Sequence, residues 1–172
     1  MTLVHTRPSS QDDLLGIAQL YADAFPDEDL IPVVRELLDL GEMSLVAVKD
    51  DAIVGHVLFS ACEVGGQKVS MLAPLCTAPA LHKQGIGTAL VQGGFARLEA
   101  DGIRWVFVLG DPNYYGRFGF KAENNVAAPY PLPDAWQEMG AWQSVALGDA
   151  PALKGKLDVP APWRQQKYWS EG

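Results

Sequence analysis

Cysteine is scarce in this sequence, and it has no long apolar run. Only two of its 172 residues are cysteines. Cys62 and Cys76 lack CxxC spacing and have no histidine cluster nearby, so neither a disulfide framework nor a metal site is indicated. No stretch approaches the roughly 20 apolar residues of a membrane helix, and the N-terminus lacks a signal-peptide core. We therefore expect a soluble cytoplasmic protein without a bound metal.

Positive charge is also in short supply. The sequence has 13 Lys and Arg residues against 21 Asp and Glu residues, which gives a net charge of −8. Nucleic-acid binding depends mainly on Lys and Arg side chains that neutralise phosphates, so no nucleic-acid partner is expected. Only a local phosphate site is compatible with this balance of charges.

Apolar residues are plentiful, at 48%, and suffice for the core of one domain.

The pattern of apolar residues predicts elements in the order β-α-α-β-β-β-α-β-α-β-β, which is typical of a mixed sheet flanked by helices. Two long strands at 52–64 and 67–77 flank Gly65-Gly66, a two-residue hairpin signal. Other strands are predicted at 3–7 and 44–48, in IRWVFVLG at 103–110, in FKAENNVAA at 120–128 and in WQSVAL at 142–147, with a Pro-rich loop, APYPLPDAW, between the last two. Helices are predicted from SSQDD to Phe25, from near Asp29 to Gly41, from about residue 85 to Ala100, and in NYYGRF at 113–118.

The stretch HKQGIGTA at 82–89 is basic and glycine-rich and leads into a helix. Gly85 and Gly87 would let successive backbone N–H groups converge on one point, where the helix dipole adds partial positive charge and Lys83 adds a full charge. Such a point favours an anion such as a phosphate group. A tight turn with glycines for close helix-sheet packing explains the same residues, because a lone Gly-x-Gly is a weak signal.

A dinucleotide-binding Rossmann fold is the first rival for such a loop. Its fingerprint requires G-x-G-x-x-G directly after a strand, but Leu90 stands at the third glycine position. The later acidic residue, Asp111, is better explained as the N-cap of the following helix. A dinucleotide oxidoreductase is therefore disfavoured.

Two segments together carry a family resemblance. LCTAPALHKQGIGTALV resembles the central signature of the GNAT superfamily of acyl-CoA-dependent N-acyltransferases, and DPNYYGRFGF resembles its second signature, Y-x-x-x-G-F. VGHVLFS and WQSVALGDAPALKGKL extend the similarity to the YhbS-like branch of that superfamily, over most of the chain. His82 departs from the usual Gln or Arg, a small change if main-chain N–H groups make the contact there.

The resemblance implies an α/β fold whose mixed, mostly antiparallel central sheet has a V-shaped splay and is flanked by helices. It implies one acyltransferase domain at 1–172, with a core at 3–128 and a C-terminal extension at 129–172 that packs on it. The implied cofactor is acetyl-CoA, used as a co-substrate. No metal is implied.

The resemblance also implies which residues contact coenzyme A. The pyrophosphate would sit on the loop at 83–88, and the pantetheine arm would run along the strand end, pairing with main-chain groups as an added strand would. The implied cofactor-binding residues are Leu75, Cys76, Thr77, Lys83, Gln84, Gly85, Ile86, Gly87, Thr88 and, from the later helix, Asn113.

Tyr115 matches the tyrosine of Y-x-x-x-G-F, whose implied role is to protonate the departing thiolate. A phenol with a pKa of about 10 stays protonated at neutral pH and can donate to a thiolate with a pKa of roughly 8 to 9. The alternative is that Tyr114 and Tyr115 simply pack the short helix against the sheet.

A general base is harder to assign. Glu63, at the end of the strand paired with the coenzyme A strand, is the first candidate, although a solvated residue beside the Gly-Gly turn would look the same. His56 could serve through its near-neutral pKa, or be a satisfied core histidine. Cys76 could suggest a covalent acyl-enzyme, but no histidine partner is visible, so direct transfer is favoured.

The acceptor is expected to be a primary amine that the sequence does not identify. Asp27, Glu28 and Asp29 could attract a cationic amine or form a solvated loop. Trp136, Trp142, Trp163 and Trp169 could shape an acceptor pocket, cover a sheet edge or form a homodimer contact. The sequence thus predicts an acetyl-CoA-dependent N-acetyltransferase, with a non-catalytic acyl-CoA-binding or regulatory module as the alternative.

Overall fold

The computed structural model describes residues 3–170, so the ends of the predicted domain at 1–172 lie outside the described residues. The strands are β1 His5–Pro8, β2 Met43–Lys49, β3 Ala52–Val64, β4 Gln67–Thr77, β5 Trp105–Leu109, β6 Lys121–Ala122, β7 Val126–Ala127, β8 Trp142–Ala146 and β9 Gly155–Lys156. The α-helices are α1 Leu14–Ala24, α2 Ile31–Asp39, α3 Ile86–Ala100, α4 Pro112–Tyr115 and α5 Asp134–Met139. No helix within residues 3–170 is long and apolar enough to cross a bilayer.

The main sheet has seven strands in the order β1-β2-β3-β4-β5-β8-β6. β1 with β2, β2 with β3, β5 with β8 and β6 with β8 are antiparallel, whereas β4 and β5 are parallel, with Ser70 opposite Val106 and Met71 opposite Phe107. The predicted α/β class with a mixed, mostly antiparallel sheet flanked by helices is confirmed. The V-shaped splay stays a prediction.

The described chain divides into two compact units. Unit 1 comprises residues 3–59 and 73–96, and unit 2 comprises 60–72 and 97–170. β3, β4 and α3 each contribute residues to both units. The predicted division into a core at 3–128 and an extension at 129–172 stays a prediction.

In unit 1, a helix packs on each face of β3. Adjacent residues of the strand point to opposite faces and therefore contact different helices. α3 lies on the face of Gly55 and Phe59, where Gly94 contacts the Phe59 ring. α1 lies on the face of His56, which contacts Tyr21. The side chains of Phe59, His56 and Tyr21 are buried.

The core of unit 2 contains most of the late tryptophans. Trp142 stacks on Phe107 with ring centroids 5.6 Å apart, and Trp169 meets Trp142 edge to face at 5.8 Å. Trp163 donates its indole N–H to the Ser60 hydroxyl at 3.2 Å. Trp142, Trp163 and Trp169 are buried, so these three stabilise the core of their own unit.

The predicted strand FKAENNVAA is wrong as a single element. It forms two short strands, β6 and β7, which belong to different sheets. The Glu123 carboxylate accepts the backbone N–H groups of Asn125 and Val126 at 2.7 and 2.8 Å. These bonds turn the chain between the two strands, since a local side-chain acceptor competes with the strand ladder.

The prediction that the Pro-rich segment APYPLPDAW is a loop is wrong at its end. Helix α5 begins inside the segment at Asp134 and ends before Gly140, whose φ is +73°.

The long hairpin strands β3 and β4 have the predicted bounds, and Gly65 and Gly66 have positive φ at the turn between them. α4 begins after Asp111, as predicted. The remaining predicted elements differ by a few residues at their ends.

Candidate active site

The loop at 82–85 leads directly into α3. Gly85 has a φ of +80°, and its carbonyl accepts the Ala89 N–H at 3.0 Å, which makes Gly85 the last residue before the helix. The N–H groups of the first helical turn therefore have no acceptor within the helix. Lys83 and Gln84 are exposed beside them. The predicted pyrophosphate residues at 83–88 thus span the end of this loop and the start of α3.

The positive φ of Gly85 explains why glycine is needed there. A Cβ atom on Gly85 would meet no atom within 4 Å, so the requirement comes from its positive φ and not from crowding. Lys83 also has a positive φ, of 66°. The first N–H groups of α3, which have no acceptor within the helix, follow this loop directly, and such a helix start favours an anion.

The strand end at Leu75, Cys76 and Thr77 belongs to unit 1, where the N–H of Ala78 donates to the Val54 carbonyl at 2.9 Å. The Cys76 side chain is buried, with its Sγ 3.8 Å from the Leu20 carbonyl oxygen. Burial, with a smaller contribution from the Asp23 charge, raises the pKa of the Cys76 thiol to about 12. The thiol is therefore protonated at neutral pH. Its buried environment does not support a role for Cys76 as a nucleophile.

Tyr115 is the last residue of α4 in unit 2. The Asp111 carboxylate caps the helix by accepting the Asn113 N–H at 2.9 Å, and Pro112 occupies the first turn. Burial and the neighbouring Tyr114 raise the pKa of Tyr115 above that of a free phenol. The hydroxyl is thus protonated at neutral pH, as a proton donor must be. The Asn113 side chain is exposed.

Tyr114 is held by Arg117. The guanidinium carbon lies 4.4 Å from the Tyr114 ring centroid, and the Arg117 Nε donates to the Tyr114 carbonyl at 3.0 Å. Burial raises the pKa of Tyr114, and the Arg117 charge partly opposes this. These contacts describe a packing residue, the alternative that the sequence left open for Tyr114.

Glu63 lies near the end of β3 in unit 2. Its backbone N–H donates to the Asp158 carbonyl at 3.1 Å, and its carbonyl accepts the Asp158 N–H at 2.8 Å. The side chain is exposed, as expected for a solvated residue beside the Gly-Gly turn. Its role as a general base stays a prediction.

His56 is buried and has a partner at each ring nitrogen. The Tyr21 hydroxyl lies 2.8 Å from Nδ1, and the Ser44 hydroxyl lies 2.8 Å from Nε2. Burial lowers the pKa of His56 to about 3. The imidazole is therefore neutral at physiological pH, which supports the interpretation as a satisfied core histidine.

Each unit contains a cavity that the sequence did not predict. The cavity in unit 1 has a volume of about 450 Å³ and is lined by Asp12, Asp13, Asp23 and Asp51 among others, with Asp13 paired to Arg7. The cavity in unit 2 has a volume of about 680 Å³, and its lining includes Asn124, Tyr130, Gln137, Trp142 and Lys156. The unit 1 lining comes from separate parts of the chain, whereas the unit 2 lining comes mostly from the continuous run at 122–132. The predicted acidic run at 27–29 is exposed between α1 and α2.

The loop before α3 and the capped tyrosine helix are the two structural features that the GNAT resemblance implied. The sequence profile of the Acetyltransferase (GNAT) family matches residues 14–120, well over half of the chain. The chain therefore belongs to the GNAT family of acetyltransferases. Because the chain belongs to this family, the alternative hypothesis of a dinucleotide-dependent oxidoreductase is dropped.

Within the family, the chain is similar to proteins from Escherichia coli that are described as uncharacterized N-acetyltransferases. YjhQ is 32% identical over 153 residues, which cover 84% of this chain and 78% of YjhQ. YhbS is 33% identical over 129 residues, which cover 72% of this chain and 75% of YhbS. The predicted likeness to the YhbS-like branch is confirmed.

Two solved structures share the fold over nearly the whole chain. The crystal structure of YhbS from Escherichia coli in complex with CoA has a TM-score of 0.85 and 26% identity, and it covers 96% of this chain and 94% of YhbS. A GNAT family acetyltransferase from Brucella melitensis in complex with acetyl-CoA has a TM-score of 0.76 and 29% identity, covering 93% and 97% of the two chains.

Proposed function

We propose that this protein binds acetyl-CoA and transfers the acetyl group to a primary amine by direct attack. The observation that carries the proposal is the loop before α3, where Gly85 in positive φ presents the first N–H groups of the helix beside the exposed Lys83. Family membership and the CoA and acetyl-CoA complexes of two similar proteins support the choice of ligand.

The pyrophosphate of coenzyme A would bind at 83–88, where backbone N–H groups, the dipole of α3 and the Lys83 charge all favour an anion. Leu75, Cys76 and Thr77 would bind the pantetheine arm through their main-chain groups. Asn113, exposed on α4, would add a contact from its side chain.

In the reaction, the amine nitrogen attacks the thioester carbonyl carbon. The new C–N bond forms, the C–S bond breaks, and the sulfur leaves as a thiolate. The Tyr115 hydroxyl, which like any phenol is protonated at neutral pH, donates its proton to that thiolate. The attacking amine gives up its proton to water or to the exposed carboxylate of Glu63.

Direct attack is favoured over a covalent acyl-enzyme because the obvious nucleophile near the proposed pantetheine strand is not activated. The Cys76 thiol is buried, and its pKa is raised to about 12. Nucleophilic cysteines instead have a lowered pKa.

Calorimetry with acetyl-CoA, followed by a thiol-release assay, tests the proposal. The amine panel should contain polyamines, amino acids, an aminoglycoside and a peptide with a free N-terminus. We expect Tyr115→Phe to lower kcat about a hundredfold or more, because general acid catalysis typically contributes that much, with little change in the Kd for acetyl-CoA. An unchanged kcat would contradict the role of Tyr115, and a failure to bind acetyl-CoA would contradict the whole proposal.

A non-catalytic acyl-CoA-binding module is the second candidate. The exposure of Glu63 favours it, because a solvent-exposed carboxylate is a weak candidate for a general base. This candidate predicts acetyl-CoA binding without thiol release across the panel.

A cytoplasmic location and a homodimer stay predictions.

A further inference from the structure

Gly110 directly follows β5 in unit 2, and the Tyr115 ring lies against its backbone. A Cβ atom built on Gly110 would overlap Cε2 of Tyr115 and would stand 3.0 Å from Cδ2. No methyl group fits between the two residues, so the ring occupies the place of the missing side chain.

Hydrogen bonds restrain the backbone of Gly110 on both sides of its Cα atom. Its N–H donates to the Ala141 carbonyl at 3.0 Å, and its carbonyl accepts the side-chain N–H of Gln143 at 3.1 Å. Gln143 is itself only 1% exposed. Gly110 does not have a positive φ, so the backbone conformation would accept alanine. Glycine is therefore needed here for space.

The other sides of the Tyr115 ring are also packed. Tyr114 meets it edge to face with centroids 5.0 Å apart, and Phe120 meets it edge to face at 5.8 Å. The ring is thus enclosed by the Gly110 backbone and two aromatic side chains, and an added group at Gly110 would push it out of this position.

We infer that Gly110 is a positioning residue for Tyr115: its missing side chain lets the ring lie against the backbone and so sets the position of the hydroxyl. The inference rests on the proposed function of Tyr115 as proton donor. A donor must lie within hydrogen-bond reach of the leaving atom, and a misplacement of about 1 Å can lower the rate about a hundredfold.

A double-mutant cycle that measures unfolding stability tests the contact between Gly110 and Tyr115 without any assay of activity. We call it the stability cycle. Gly110→Ala should lower the urea midpoint of unfolding in the wild-type background. In a Tyr115→Ala background, where the ring is absent, the same substitution should lower it much less. An equal decrease in both backgrounds would overturn the inference, because the glycine would then be needed for some other reason.

An activity cycle tests the role, using CoA thiol release from acetyl-CoA with the panel amine that reacts fastest with wild type. The Tyr115→Phe variant keeps the ring and its steric overlap with a Cβ at residue 110 but lacks the hydroxyl. Gly110→Ala should therefore lower kcat about tenfold or more in wild type, with little change in the KM for acetyl-CoA. Added to Tyr115→Phe, it should cause almost no further loss.

Equal losses of kcat in the two backgrounds would mean that Gly110 acts on folding or on another group, and would overturn the inference. Gly116→Ala is the matched control, since its Cβ would meet no atom within 4 Å and it should leave kcat near that of wild type. If Tyr115→Phe alone leaves kcat unchanged, the proposed function of Tyr115 fails, and the stability cycle still decides the contact.

Discussion

The Phe59 ring lies against the backbone of Gly94, so that α3 approaches β3 more closely than a side chain would allow. A Cβ atom on Gly94 would stand 3.0 Å from Cδ2 of Phe59 and closer still to Cε2 and Cζ. The two residues belong to unit 1, and the Phe59 side chain is buried. Close approach of a helix to a sheet is thus obtained by omitting a side chain at the point of contact.

Gly94→Ala should therefore destabilise the protein. Overpacking a buried contact costs about 1–3 kcal/mol of unfolding free energy. Gly93→Ala is the matched control, because its Cβ would make ordinary contacts with Leu45 and Thr6 at 3.6 and 3.8 Å, and alanine in a helix is favoured over glycine by up to about 1 kcal/mol. Urea unfolding of the two variants should give opposite signs, and similar values would contradict the packing described.

His56 should make the stability depend on pH between 6.5 and 3. Its pKa is 6.5 when unfolded and about 3 when folded, so the unfolded state binds more protons in this window and stability falls as the pH falls. From pH 7 to pH 5 the free energy of unfolding should drop by about 2 kcal/mol from this group.

The variant His56→Gln should lose much less stability than wild type over the same pH range, because glutamine does not titrate. His5→Gln, at an exposed position of β1, serves as the control and should follow wild type. Urea unfolding at pH 7, 6 and 5 measures the difference. If His56→Gln keeps the full pH dependence, other groups must cause it.

A matched pair of glycines flanks α3, with Gly85 directly before the helix and Gly102 in the turn after it. Gly85 and Gly102 have φ values of +80° and +81°, and a Cβ on either would meet no atom within 4 Å. Alanine at each should cost about 1 kcal/mol of stability from backbone strain alone. Only Gly85→Ala should also weaken acetyl-CoA binding, by about tenfold, the effect of losing about 1.4 kcal/mol of contacts to the phosphates. Calorimetry with equal losses of affinity in both variants would argue against the proposed pyrophosphate loop.

Cys76 should resist acylation and alkylation in the folded protein. Burial and a pKa raised to about 12 keep its thiol protonated and inaccessible. Mass spectrometry after incubation with acetyl-CoA should find no acetyl group on Cys76. Iodoacetamide at pH 8 should modify it only after unfolding in urea. An acetylated Cys76 would contradict direct attack.

Several parts of the fold are predictable because neighbouring residues encode them. The hairpin of β3 and β4 follows from two apolar runs around Gly65 and Gly66, and its bounds agree with the structure. The start of α4 follows from Asp111 and Pro112, since capping acts within a few residues. The proposed phosphate loop is predictable for the same reason, because its residues are consecutive.

Other parts depend on contacts between residues that are distant in the chain. His56 is a candidate base in the sequence, but burial lowers its pKa, and Ser44 and Tyr21, 12 and 35 residues away, contact its two ring nitrogens. The aspartates that line the unit 1 cavity come from distant positions, Asp12 and Asp13 before α1, Asp23 within it and Asp51 before β3. The strand FKAENNVAA breaks because the Glu123 carboxylate binds the backbone that the strand pattern requires.

Short stretches of consecutive residues therefore suffice to predict the family, the proposed phosphate-binding segment and the candidate tyrosine, since turns, caps and signatures act over a few consecutive residues. Packing between distant residues assigns Trp142, Trp163 and Trp169 to the core of unit 2 and keeps Cys76 protonated. It also places the Phe59 ring against Gly94 and the Tyr115 ring against Gly110. These features follow from burial and steric exclusion, which exist only once the chain has folded.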